Sequence, residues 1–208
     1  IMGASKRVAE LIVQAYAEKE SINLNKHGTH KKTLFSMVRF GNVLGSSGSV
    51  VLKFKEQIKS GGPITLTDSN IIRYFMTIKE AAQLVIQSSV LSKGGDIFLL
   101  DMGDPVKIYD LAKQMVNLSG LTIKNKNNLE GDIEIISTGL RPGEKLYEEL
   151  LLGDDPKKTF HDKIQKAQDP FIPYDQLKIN LDKLSILLEG NKEVEVKDML
   201  DRLIPSYK

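Results

Sequence analysis

The chain has 208 residues, enough for one large domain or two small ones around a real hydrophobic core. Hydrophobic residues make up 41% and charged residues 27%, as in ordinary globular proteins, and a net charge of +2 argues against nucleic acid as a partner. The absence of cysteine excludes disulfides, thiol nucleophiles and cysteine metal sites, and three histidines (His27, His30, His161) are too few for a histidine-rich metal cluster.

Val8, Leu11, Ile12, Ala15 and Tyr16 recur at three- and four-residue steps, predicting an amphipathic helix over 3–20. Asn23, Asn25, Lys26 and Gly28 then mark a polar loop through Lys32, which holds His27 and His30. Residues 34–40 alternate and favour a strand that ends in glycines. A helix over 49–59 stops at Gly61-Gly62-Pro63, before a short strand at 64–66 and an extended stretch at 72–76. Thr77 is the expected N-cap of a helix over 78–91, with Glu80 completing a capping box. Gly94-Gly95 closes that helix, 97–100 is a buried strand, and 106–119 is a further helix ending at Gly120. Residues 122–132 read as a polar loop and 133–136 as a strand. Pro142-Gly143 should turn the chain into a helix over 145–152, and 174–189 and 193–203 are two more helices. Strands alternating with helices give an α/β class. No run of about 18 apolar residues is present to span a membrane. The opening at a helix head, without a preceding strand or signal peptide, reads as a fragment.

Two blocks carry the chemistry. Arg39-Phe40-Gly41-Asn42-Val43-Leu44-Gly45-Ser46-Ser47-Gly48-Ser49-Val50-Val51 and Gly139-Leu140-Arg141-Pro142-Gly143-Glu144-Lys145-Leu146-Tyr147-Glu148-Glu149 each combine glycines with one arginine. Glycines let backbone N–H groups approach anionic oxygens, and a guanidinium grips two oxygens at once. About 100 residues separate the blocks, so a shared ligand would be clamped by the fold. That pattern suits a diphosphate ester, and a nucleotide sugar foremost. Asn42, between two glycines, can donate to a phosphate or sugar oxygen, or simply satisfy its own turn. Ser46, Gly48 and Ser49 extend the polar surface into a helix N-terminus suited to anions. The block is not a Walker loop, because no Gly-Lys-Ser/Thr follows. Arg73, set among bulky residues, needs a partner, and Asp68 or a bound phosphate could serve. Arg141 offers a cation and Glu144 a carboxylate for ribose hydroxyls, though Glu144 could equally face a helix dipole. Glu148 and Glu149 read as solvated helix charges, and Lys6 taken alone as a surface lysine.

In order, Met2-Gly3-Ala4-Ser5-Lys6-Arg7, the glycine block, Arg73-Tyr74-Phe75-Met76-Thr77, Asp101-Met102-Gly103 and the Arg-Pro-Gly-Glu block resemble a known family. The match, over about 1–168, is to the C-terminal half of CapD-like polysaccharide-biosynthesis nucleotide-sugar 4,6-dehydratases and epimerases, in the extended short-chain dehydrogenase/reductase superfamily. The resemblance implies the C-terminal part of an NAD(P)-binding Rossmann domain at 1–48, to which strand 96–100 returns, and a smaller substrate domain mainly at 49–208. It implies bound NAD or NADP and a UDP-sugar substrate, UDP-N-acetylglucosamine above all. The family reaction oxidises C4 by hydride transfer, eliminates water across C5 and C6, and returns hydride to C6. By the same resemblance, Lys6 would hold the nicotinamide ribose, and Met2 fills the slot where Tyr-x-x-x-Lys proteins carry tyrosine. Asn42, Ser46, Ser49, Val50, Arg73, Arg141 and Glu144 would hold the nucleotide diphosphate; no metal is implied.

Methionine in that slot resembles the longer, membrane-anchored subgroup, whose upstream Thr-Asp-Lys segment supplies acid/base groups. The glycine-rich cofactor turn and the strands flanking 34–40 would also lie upstream. Lys53 follows Val51-Leu52, where the family usually has proline, and is expected only to alter the helix start. The parent would be a cytoplasmic-face, homo-oligomeric bacterial lyase of capsule, O-antigen or glycan synthesis, with any membrane anchor upstream. A nucleotide-sugar epimerase and a non-catalytic nucleotide-sugar-binding or assembly module are the alternatives. The isolated chain is expected to be inactive. Incubated with UDP-N-acetylglucosamine and NAD, it should form no 4-keto-6-deoxy sugar, and clear turnover would refute this.

Overall fold

A computed structural model describes residues 2–27, 33–148 and 156–204, with backbone alone for Met2 and 21–27. In chain order the elements are α1 (Met2–His27), β1 (Ser36–Arg39), β2 (Asn42–Val43), α2 (Val50–Lys59), β3 (Ile64–Leu66), β4 (Ile72–Arg73) and β5 (Phe75–Met76). Next come α3 (Ile78–Leu91), β6 (Asp96–Leu100), β7 (Val106–Lys107), α4 (Ile108–Leu118), β8 (Ile123–Lys124) and β9 (Ile133–Ser137). β10 (Lys157–Lys158), β11 (Ile164–Ala167), α5 (Tyr174–Glu189) and α6 (Glu193–Leu203) complete the order. The class is α/β, as the alternation predicts.

The chain forms two compact units: residues 1–39, 85–100 and 151–208 make the first, and 40–84 and 101–150 the second. The sequence places the break at 48/49, with strand 96–100 returning to the first part; by contacts the break falls between Arg39 and Phe40, and residues 85–100 group with the first unit. Residues after 151 join the first unit because β11 pairs antiparallel with β6, and α5 packs on α1.

In the first unit, one sheet has the order β1-β6-β11-β10, with β1 parallel to β6 from Ser36↔Asp96 to Arg39↔Leu99. All five residues of β6 are buried. Ala4, Val8, Leu11 and Ala15 of α1 pack against Leu177, Leu200, Leu203 and Ile204. The predicted stripe therefore holds, except that Tyr16 is 44% exposed and meets Tyr174 edge-on at 4.9 Å between ring centroids. α1 runs past its predicted end at Glu20 because polar residues do not stop a helix, and no glycine or proline occurs between Glu20 and Gly28.

Beside α1, Arg39 binds both oxygens of Glu10 at 2.7 and 2.6 Å and Asp169 at 2.6 Å, while Arg7 binds Glu10 at 2.9 Å. Burial raises the Glu10 pKa, but hydrogen bonds from Arg39 and Arg7 outweigh it and hold the carboxyl below its ordinary range.

The second unit builds its core from α2, α4 and the parallel sheet β3-β9-β8. Phe54, Ile58, Ile64, Leu66, Ile71, Ile108, Ala112, Val116 and Ile133 fill it. Two short pairs, β2 with β5 and β4 with β7, lie in the same unit. The loop predicted over 122–132 contains β8 and an Asn125↔Asn128 bridge, too short to leave a period in the sequence. The capping box at α3 forms as expected: Thr77 N–H donates to Glu80 at 2.9 Å and Glu80 N–H to Thr77 Oγ1 at 3.2 Å.

One predicted element is corrected. The described residues 145–148 of the helix expected over 145–152 are not helical, and 149–152 lie outside the described residues. The carbonyls of Lys145 and Leu146 accept instead from Arg73, and Leu146 also accepts from Ile72 N–H at 3.1 Å. Among the described residues, no helix is long and apolar enough to cross a membrane.

Phe54→Ala should lower stability by about 3–5 kcal/mol, because this ring is fully buried and a cavity would remain; urea unfolding measures it. Glu10 has a depressed folded-state pKa, so its stabilisation is complete above the ordinary glutamate range and is lost as pH falls through the depressed value. Thermal melts across that acidic window should show Glu10→Gln with a shallower decline than the parent chain.

Candidate functional site

Two tandem turns lead the chain from β2 into α2. Ser46 N–H donates to Val43 O at 3.3 Å and Ser49 N–H to Ser46 O at 3.0 Å. Gly45 and Gly48 hold the third turn positions at φ 74° and 72°, a left-handed conformation that only glycine adopts without strain. The second block repeats the device. Glu144 N–H donates to Arg141 O at 2.9 Å, Pro142 fixes the second position, and Gly143 takes φ 79° at the third.

These turns border one cavity of about 400 Å³. Asn42, Ser46, Ser49, Val50, Arg73, Arg141 and Glu144, all seven residues expected at the diphosphate, line it. Lys53, Thr65, Thr67 and Asp68 complete its polar wall, with Phe54, Ile71, Phe75 and Ile108 supplying apolar surface.

Sharing a wall does not make these groups equivalent. Arg73 Nη1 donates to Ile72 O at 2.8 Å and Leu146 O at 3.0 Å, and Nη2 to Lys145 O at 2.8 Å. Its Nε lies 3.6 Å from Glu148 Oε1. Asp68, one of the two partners the sequence leaves open, accepts from Asn70 N–H at 2.7 Å. Glu148 is thus a half-buried partner of Arg73, not a solvated helix charge. Glu144 also works locally: Oε1 accepts from Thr67 Oγ1 at 3.0 Å and Oε2 from Arg141 N–H at 3.2 Å. The Ser46 hydroxyl donates to Val43 O at 2.9 Å.

Other groups are uncommitted. Among the described residues, the Arg141 guanidinium and the Asn42 amide make no side-chain hydrogen bond that competes with a ligand. Among the described residues, the buried Ser49 Oγ has no partner and makes no cap bond to α2. The first-turn N–H groups of α2 have no intrahelical acceptor, so that helix end is electropositive.

Arg39, the arginine of the first block, is not at the cavity. It belongs to the first unit, held by Glu10 and Asp169. Its sequence neighbourhood is misleading, because its partners Glu10 and Asp169 lie far from it in the chain. Lys53 is the converse case. It lines the cavity, with Nζ 3.5 Å from Thr65 O, a position the sequence reading does not assign to it. Ser49, Val50, Lys53 and Phe54 share one face at i, i+1, i+4 and i+5, a signal present in the sequence. Thr67 had no such signal.

Lys6 lies exposed in the first turns of α1 within the first unit, while the side chain of Met2 lies outside the described residues. Among the described residues, no group of three or more His, Asp or Glu side chains is placed to hold a metal ion.

The model of a family described as "Polysaccharide biosynthesis protein" matches residues 1–169. The chain is 54% identical over 151 residues to the capsular polysaccharide biosynthesis protein CapD of Staphylococcus aureus, covering 73% of this chain and 22% of that protein. It is 32% identical to a UDP-glucose 4-epimerase of Rickettsia canadensis (95% of this chain, 51% of the relative). It is 31% identical to a UDP-N-acetylglucosamine 4,6-dehydratase (inverting) of Campylobacter jejuni (88% of this chain, 49% of the relative). The chain therefore spans about half or less of these curated relatives. Among solved structures, Pen from Bacillus thuringiensis is 36% identical, with a TM-score of 0.55 over 71% of this chain and 41% of that one.

Proposed function

The chain belongs to the polysaccharide biosynthesis protein family, and from that premise we propose that its cavity holds the diphosphate of a nucleotide sugar. The parent activity in this reading is an NAD(P)-dependent 4,6-dehydratase acting on UDP-N-acetylglucosamine, with this chain inactive alone. The observation that carries it is the convergence of both glycine blocks on one cavity. A pyrophosphate there meets the Arg141 guanidinium, which can fork to two oxygens, and the Asn42 amide as a neutral donor. The Ser49 hydroxyl and the N-terminus of α2, including the Val50 backbone, supply further donors to an anion. Glu144 keeps the second block folded over the cavity, with a lone pair of each oxygen still open to a ribose hydroxyl.

Lys6 fits the part of a cofactor-holding residue: it is exposed at the head of α1 and forms no ion pair among the described residues. A nicotinamide cofactor, when bound, supplies reversible hydride acceptance from the sugar. The UDP-glucose 4-epimerase relative supports an epimerase as the second reading, since the same diphosphate clamp serves both reactions.

Titration calorimetry of the chain with UDP tests the proposal. Binding is expected, and Arg141→Ala should weaken it about tenfold or more, the worth of a charge-assisted fork. Absence of UDP binding, or full affinity in Arg141→Ala, would overturn it.

A further inference from the structure

We infer that Lys53 is a further binding residue of the cavity, a cation that leaves Thr65 and donates to a phosphate oxygen when the ligand enters. The inference rests on the reading of the cavity as a diphosphate site and adds a residue to it.

The cavity wall holds three cations, Lys53, Arg73 and Arg141, against two carboxylates, Asp68 and Glu144. Lys53 therefore decides whether the wall is formally neutral or positive, and only a positive wall draws an anion from a distance. Its ammonium is also lightly held. Among the described residues Lys53 forms no ion pair, and the one hydrogen bond of its side chain, to Thr65 O, is 3.5 Å long and exposed. A contact of that length in water contributes little, because water replaces either partner.

The structural task at Thr65 is already filled by another side chain. Gln57, one turn further along α2, donates from Nε2 to Thr65 Oγ1 at 2.8 Å and accepts from Thr65 N–H at 3.1 Å. α2 is thus pinned to β3 without Lys53.

Direction and reach lead from Lys53 to the anion end of α2. Helix side chains lean toward the N-terminus of their own helix, so the Lys53 stem lies over the turn that begins at Ser49. Residues four apart on a helix are neighbours, and Ser49 and Lys53 both line the cavity. The four-carbon stem rotates about every bond, and the ammonium has three donors with no fixed plane. Side-chain rotation alone carries it from Thr65 O toward an anion gathered by Ser49, the Val50 N–H and Arg141. The diphosphate is then gripped by a cation from each glycine block's own element, Lys53 from α2 and Arg141 from the second turn.

Calorimetric titration with UDP compares the parent chain with Lys53→Met, Lys53→Gln and Lys53→Arg, each at low and high salt. Methionine keeps the apolar stem, glutamine a donor without charge, and arginine the charge; all three suit an exposed helix position. Both Lys53→Met and Lys53→Gln should bind UDP about tenfold more weakly, the worth of a charge-assisted hydrogen bond. Lys53→Arg should stay within about threefold of the parent. The deficit of Lys53→Met should shrink as salt rises, and its midpoint of urea unfolding should match the parent's. Parent-like UDP affinity in Lys53→Met overturns the inference. Affinity kept by Lys53→Gln also overturns it, because a neutral contact, as to a nucleobase, would then suffice. A loss that comes with a lowered unfolding midpoint and no salt dependence does the same, since Lys53 would then act on the fold. In each of these cases the reading of the cavity still stands if the parent binds UDP and Arg141→Ala weakens it. If the parent binds no UDP, that reading fails and the inference fails with it.

Discussion

The fork between Arg73 and the carbonyls of Ile72, Lys145 and Leu146 is the constraint that ties down the backbone after the second glycine block. Backbone carbonyls removed from water require donors, and a helix would have supplied them internally. At Lys145 and Leu146 the donors come from a side chain on β4 and from the backbone of Ile72. Helix and fork compete for the same oxygens, and the fork wins over the described part of the segment. The gain is positional. A short irregular stretch is tied at fixed points just after the Arg-Pro-Gly-Glu turn, whose Arg141 and Glu144 line the cavity.

Four arginines illustrate how burial sorts charge into structural and available groups. Arg7 and Arg39 are about 10% exposed and neutralised by Glu10 and Asp169, a cluster that stiffens the first unit. Such a network is conditional: removing one member leaves the others buried and unpaired. Arg73 is engaged by carbonyls. Arg141 is exposed at a turn and makes no comparable commitment. With Lys53 on α2, it supplies exposed positive charge to the cavity wall. Neither the number of arginines nor their glycine neighbours separates these roles; the local acceptors do.

The cavity chemistry also sets what it can discriminate. Its uncommitted donors suit phosphate oxygens, a feature shared by every nucleoside diphosphate sugar. A dehydratase and an epimerase differ at the sugar ring and in proton transfer, away from the diphosphate that these groups are proposed to hold. That fits a family whose relatives include both activities at nearly equal identity to this chain.

The sequence by itself determined the α/β class, the helices α2, α3, α5 and α6 nearly to the residue, and the Thr77–Glu80 cap. Pro142-Gly143 alone located the second turn, because a φ of 79° at Gly143 is a local demand. Periodicity, caps and turns are encoded within a few residues, so they can be read without a fold. Only the tertiary structure decided that Arg39 serves an ion pair with residues 29 and 130 positions away, and that Arg73 holds a loop 72 positions away. It alone brought Lys53 and Thr67 to the cavity and returned residues after 151 to the first unit. A side chain's type fixes what it can bond, but which acceptor comes within 3 Å depends on how distant strands and helices pack, and that information is spread over the whole chain.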